Sequence, residues 1–170
     1  MQNRPLPDPD AALAWLEDAA KLWLAHDGLW FQEVERKLGL DAAIAMDKEA
    51  WARFSPLEAA RIKARLGIPE RGGLGALAHA LRGRLYALLN EDDLRLEEGR
   101  LIYTMTACRV QEARRRKGLD DFPCKEVGLV EYDAFARAVD PRLRVRCLSC
   151  PPERRSDAYY CSWEFTLAEE

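Results

Sequence analysis

The stretch LRLEEGRLIYTMTACRV, Leu94 to Val110, is where the chain changes its habit. Before it, apolar residues recur every three to four positions. Within it they alternate with polar ones, and β-branched and aromatic residues accumulate. A strand sends successive side chains to opposite faces, whereas a helix repeats at about 3.6 residues, so the change of period marks a change of structure. EEG at residues 97–99 supplies the turn of a hairpin. Residues 1–90 are therefore mainly helical and residues 92–170 mix strand with helix. The expected fold class is α+β, with the N-terminal helices packed on one face of a small antiparallel sheet, as a single domain over residues 1–170.

Working back from that stretch, AALAWLEDAAKLWLAHDGLWFQEVERKLGL is helical, with Leu13, Leu16, Ala20, Leu22 and Leu24 on a roughly helical spacing. Asp10 is its expected N-cap and Gly39 its stop. Gly28, in HDG, weakens a helix by about 1 kcal/mol relative to alanine and is expected to kink or split it. DAAIAMDKEAWARF and SPLEAARIKARLGI follow as two helices, the second with Ser55 as N-cap, Pro56 in its first turn and Gly67 at its end. GGLGALAHALRGRLYALLN reads as one more, closing near Asn90.

Working forward, VQEARRRKGL is a short helix. FPCKEVGLVEYDAFARAVDP is a longer one, burying Val127, Val130, Tyr132, Phe135 and Val139 and ending at Asp140-Pro141. In RLRVRCLS, Leu143, Val145 and Cys147 share a face; in YYCSWEFTL, Tyr159, Cys161, Trp163, Phe165 and Leu167 do. CPPERRSDA between them has loop composition. The two strands form a C-terminal hairpin that puts Cys147 and Cys161 on the same covered face as near neighbours.

A net charge of −3 over 170 residues argues against a polyanion-binding protein. The N-terminus MQNRPLPDPDAA has neither a basic nor an apolar leader region, and no apolar run reaches the roughly 18 residues of a membrane span. Five cysteines is an odd number, and with no leader a cytoplasmic compartment that keeps thiols reduced is expected. A homo-oligomer is compatible with these features.

Three chemistries compete for the cysteines. Cys124, Cys147, Cys150 and Cys161 would supply the four sulfurs of a closed zinc site, although Pro151 after Cys150 has no N–H to turn toward a thiolate. Equally, Cys147 and Cys161 are of a size to fill a core. Cys124, at a helix start beside Lys125, is the candidate catalytic nucleophile of a thiol- or metal-dependent hydrolase, for which only His26 and His79 are available as imidazole bases. A ligand pocket at the helix–sheet boundary would draw on His26, Asp27 and Trp30 from HDGLWF, on Arg109 and Gln111 beside Cys108, and on Trp163. Residues 109–117 carry Arg109, Arg114, Arg115, Arg116 and Lys117, a basic run suited to an interaction module for an acidic partner; the acidic total disfavours nucleic acid.

DGLWFQEVERKLGLDAA, EAARIKARLGI, CRVQEARRRKGL, FPCKEVG and CLSCPPE…YYCSWEF together resemble an uncharacterised bacterial cytosolic family of unknown function. More distantly, the order of helices, sheet, VGLVEY and a cysteine-bearing final hairpin is similar to the L-2-amino-thiazoline-4-carboxylic acid hydrolase family and to the 4-vinyl reductase domain. Those resemblances imply a cavity between helices and sheet and a small-molecule ligand or substrate. Cys147, Cys150 and Cys161 carry over as a metal or pocket element, and no complete catalytic motif does.

Overall fold

The computed structural model describes residues 8–154 and 156–168. Helix α1 spans Pro9–Leu38 without interruption. Its N-cap is Asp8, whose carboxylate accepts from the backbone N–H groups of Asp10 and Ala11; Asp10, the expected cap, lies in the first turn. Pro9 explains the difference, because proline is pre-set for the first helical position and moves the cap to the residue before it. Gly28 does not split the helix. Trp23 on one side of it and Phe31 on the other both pack into a cluster with Trp51 and Phe122, which outweighs the glycine penalty of about 1 kcal/mol.

The two helices expected next are one, α2, Leu40–Leu66. Pro56 lies inside it, and Ser55 is a buried interior residue rather than a cap. An interior proline costs about 3 kcal/mol through its missing N–H and its clash with the preceding turn. Here Trp51, Ser55, Ala59 and Ile62 form one buried stripe that runs through the proline, and burial of that stripe keeps the helix whole.

Helix α3, Gly73–Arg82, is shorter than expected and gives way to a 3-10 turn at Leu85–Leu88. Arg84 between them has extended backbone, φ −76° and ψ 154°. Its side chain, 3% exposed, is anchored by Glu58 at 2.9 Å and Glu131 at 2.7 Å, and that anchorage fixes the break.

Strands β1, Glu91–Glu97, and β2, Arg100–Ala107, form the expected hairpin. Glu97 pairs with Arg100 across a two-residue turn in which Gly99 takes φ 74°. Then come α4, Arg109–Arg116; α5, Lys125–Val139; β3, Leu143–Ser149; and β4, Cys161–Leu167. The sheet is antiparallel throughout, in the order β1-β2-β4-β3. This is the α+β arrangement the change of period implied, with the C-terminal strand pair completing the sheet.

The inner sheet face carries Leu101, Tyr103 and Met105 of β2, Trp163 and Phe165 of β4, and Leu143 of β3. They pack against Ala59 and Ile62 of α2, Leu77 and Leu81 of α3, and Tyr132, Phe135 and Val139 of α5. Where α5 crosses β4 the approach is close: a Cβ at Gly128 would sit 2.7 Å from the Trp163 ring. Cys147 and Cys161 share the covered face as expected. They lie on adjacent strands but are not directly opposed: in the regular register of β3 with β4 Cys147 opposes Trp163, two residues along from Cys161, which opposes Met105 of β2. Among the described residues no helix is long and apolar enough to cross a membrane.

Candidate functional site

At the end of the sheet where β2 leaves and β4 begins, the helices do not close onto the strands. They leave a cavity of about 440 Å3 bounded by α1, α2, α4, α5, the 3-10 turn and the β2–β4 edge. One wall is apolar, formed by Phe31, Trp51, Tyr86, Met105, Phe122 and Trp163. A second carries the sulfurs of Cys108, Cys124, Cys150 and Cys161. Asp27, Asp47 and Glu131 also line the space, as do the cations Lys21, Arg109, Arg114, Arg116 and Lys117.

The three carboxylates arrive by one local rule. On α1, Asp27 stands midway between Trp23 and Phe31; on α2, Asp47 between Ala43 and Trp51; on α5, Glu131 between Val127 and Phe135. Positions four apart share a helix face. Each acid is therefore carried inward by the apolar neighbours before and after it. Their surroundings differ. Glu131 is bound to Arg84, which also holds Glu58 and lies 4.8 Å from the Phe135 ring centre and 5.5 Å from that of Tyr86. Burial raises the Glu131 carboxyl, and Arg84 opposes the rise. Asp27 and Asp47 have no ion-pair partner among the described residues. Burial raises Asp27, and His26 pulls it back in part. Asp47 is pushed up to about 7, first by burial and then by repulsion from Asp27 and Glu131, while a hydrogen bond from Trp51 works in the other direction.

The sulfurs form a chain of contacts rather than a cage. Cys124 Sγ lies 3.4 Å from Cys150 Sγ, and Cys150 in turn hydrogen-bonds Cys161. Cys150 is 1% exposed, and its hydrogen bonds with Cys124 and Cys161, then burial, push its thiol far above the ordinary range. Cys161 is drawn down, chiefly by the Cys150 S–H, with the Trp163 indole also turned toward it. No acceptor reaches full hydrogen-bond geometry with that indole N–H, so the pull from Trp163 is the weaker one. Cys108 is pushed up to about 12 by burial. Among the described residues no group of three or more His, Cys, Asp or Glu side chains is placed to hold a metal ion.

Of the residues expected at a pocket, Asp27, Arg109, Gln111, Trp163, Cys124, Cys150 and Cys161 line this cavity, and His26, Trp30 and Cys147 do not. His26 and Trp30 are four apart on the outward face of α1, and Trp30 is 69% exposed; the inward face presents Leu24, Gly28 and Phe31 instead. Cys147 sits on β3, the edge strand beyond β4, and packs into the main core away from the opening. His79 also lies outside the lining, so neither imidazole faces Cys124. Gln111 is a clamp. Its Nε2 donates to the Phe122 carbonyl at 2.8 Å, its Oε1 accepts the Phe122 N–H at 2.8 Å, and Nε2 also reaches Cys124 Sγ at 3.5 Å.

Arg114, Arg115, Arg116 and Lys117 of the basic run all have partners within the protein. Arg114 is buried and grips Glu35 of α1 through both terminal nitrogens, at 2.9 and 3.0 Å. Arg115 makes the same forked contact with Asp121, Arg116 lies 3.8 Å from Glu112, and Lys117 donates to Gln32. Arg109 stands apart, with its backbone N–H on Asn90 and its exposed guanidinium in no ion pair among the described residues.

The acids at 47 and 131 escaped the sequence reading, as did the rings at 51 and 86. The signal was a carboxylate held between apolar residues at four before and four after. The profile of a family of unknown function (DUF6125) matches residues 8–167, and the chain belongs to that family. No curated protein and no solved structure matches it.

Proposed function

We propose that this DUF6125 member is a small-molecule-binding protein whose cavity takes an apolar ligand bearing a positively charged nitrogen. The observation that carries this reading is the pair Asp27 and Asp47. Both face an aromatic-walled cavity, and neither has an ion-pair partner among the described residues. A volume of about 440 Å3 is within the range of small-ligand sites. An amine between the two acids would replace lost hydration and relieve their mutual repulsion, and the rings of Trp51 and Tyr86 would take the apolar body. A single domain over residues 1–170 belongs to the same proposal, and the free thiols suit a cytoplasmic setting.

A thiol hydrolase has less behind it. Cys124 would be its nucleophile, yet the sulfur meets an amide and a second thiol where an imidazole base is wanted.

Thermal unfolding at pH 8 in the presence of small aromatic and aliphatic amines, against isosteric alcohols and carboxylic acids, tests the ligand class. Amines raise the midpoint, and the increase disappears in Asp47→Asn. A larger increase with the acids, or an amine effect untouched by Asp47→Asn, overturns it.

A further inference from the structure

The sulfur chain does work that ligand binding does not require. We propose that Cys124 and Cys150 are a redox-active dithiol, closing to a disulfide when a small hydroperoxide enters the cavity.

The geometry supports this at three levels. The sulfurs already touch, at 3.4 Å, so bond formation needs a rotamer adjustment and not a rearrangement of helices. The backbones are tied beside them: the Lys125 N–H donates to the Pro151 carbonyl at 3.1 Å, which holds the residues next to each cysteine in register. The two thiols also have different surroundings. Cys124 is half-buried, lines the cavity, stands at the N-cap of α5 and accepts from Gln111 Nε2. Cys150 is buried, 1% exposed, and its sulfur hydrogen bonds and burial raise its thiol. This division is the one expected of an attacking and a resolving thiol.

The chemistry balances in two steps. The Cys124 sulfur attacks the distal oxygen of the hydroperoxide and breaks the O–O bond. The products are Cys124 sulfenic acid and the alcohol, or water where the oxidant is hydrogen peroxide. The Cys150 sulfur then attacks the sulfenic sulfur, forming the S–S bond and releasing water that takes up the Cys150 proton. Two thiols lose two electrons in all, and the peroxide gains them. A small-molecule thiol returns the pair to the starting state by exchange.

Closure would fasten the N-terminus of α5 to the segment after β3. Helix α5 carries Val127, Gly128, Glu131 and Tyr132 of the cavity wall. The proposal does not depend on which ligand the cavity takes.

The test treats the full-length reduced protein with stoichiometric hydrogen peroxide, counts free thiols, alkylates them and maps peptides by mass spectrometry. The expected result is loss of two of the five thiols, a mass lower by two hydrogen atoms, and a Cys124–Cys150 cross-linked peptide. Dithiothreitol restores all five. Cys161→Ser and Cys147→Ser keep the cross-link; Cys124→Ser abolishes it, and Cys150→Ser halts at a sulfenic acid on Cys124, trapped by dimedone. A cross-link through Cys161, oxygen addition to Cys124 in the wild type, or a full set of thiols after treatment each overturns the proposal. Because alkylation reads the wild-type protein directly, a variant that fails to fold does not protect the idea.

Discussion

Asp140 and Asp47 are both carboxylates held away from bulk water, and the protein treats them in opposite ways. Asp140 ends α5 with every need answered. Its Oδ2 accepts the Gly73 N–H at 3.0 Å, its Oδ1 accepts the Arg142 N–H at 3.0 Å, and the Arg142 guanidinium lies 2.8 Å away. Hydrogen bonds from Arg142 lead in lowering its carboxyl to about 2. Asp47 receives one indole hydrogen bond and faces two other acids, and it rises to about 7. The first joins α3, α5 and the approach to β3, so its charge serves the fold. The second is a charge the fold leaves unanswered. A buried ionic group without partners normally destabilises, and the proposed amine would relieve that cost.

Arg84 gives the largest expected effect. It pairs with both Glu58 and Glu131, and Arg84→Met leaves these two largely buried acids uncompensated. A loss of about 3–5 kcal/mol in denaturant unfolding is expected. A loss below about 1 kcal/mol would mean that those acids are protonated in the wild type, and the contrast with Asp140 would blur.

Next is Asp140→Asn, which removes charge-assisted hydrogen bonds from a buried junction and costs about 1.5–3 kcal/mol at neutral pH. Asp47→Asn has the opposite sign. It stabilises the ligand-free protein by about 1–2 kcal/mol at pH 8, well under the full linkage value because part of the side chain borders the cavity. At pH 4 the gain vanishes. Destabilisation by Asp47→Asn at pH 8 would show that the carboxylate has a structural partner after all.

The smallest effect is the pH profile of stability. Asp140, with its carboxyl lowered, contributes stability that is present above the unfolded value of 3.8 and is lost as pH falls through about 2. Asp47, with its carboxyl raised, contributes stability that is present below 3.8 and is lost as pH rises through about 7. Equilibrium unfolding at a series of pH values should therefore show a fall on the acid side that Asp140→Asn flattens. A second decline toward pH 8 should be flattened by Asp47→Asn. Identical profiles in wild type and Asp47→Asn would remove the distinction.

The period change at Leu94 was enough to read the class of fold, because burial patterns are local: strands alternate and helices recur wherever they lie. The hairpin at Gly99 was legible for the same reason. What Ser55 and Pro56 do was not, since a cap and an interior turn share those residues, and only the stripe from Trp51 to Ile62 packing on its neighbours decides between them. Half of the site was legible through chemistry-bearing residues at element ends, such as Asp27, Gln111 and Cys124. His26 and Trp30 were misplaced because a side chain's face depends on the helix continuing past Gly28 without a kink. Asp47 and Glu131 were passed over because an acid between apolar residues reads as a solvated position until three helices are seen to aim at one space. Cys147 lies outside the lining because β3 is the edge strand beyond β4, an order that the sequence of a hairpin does not reveal.

The most direct measurement is a carboxyl-carbon NMR titration of Asp47 in the ligand-free protein, with Asp47→Asn to assign the signal. The account predicts a midpoint near 7, displaced downward when an amine that raises the thermal midpoint is added. A midpoint close to the ordinary aspartate value of 3.8 would mean that Asp47 is solvated or paired, and the cavity would have no unmet charge to offer a ligand.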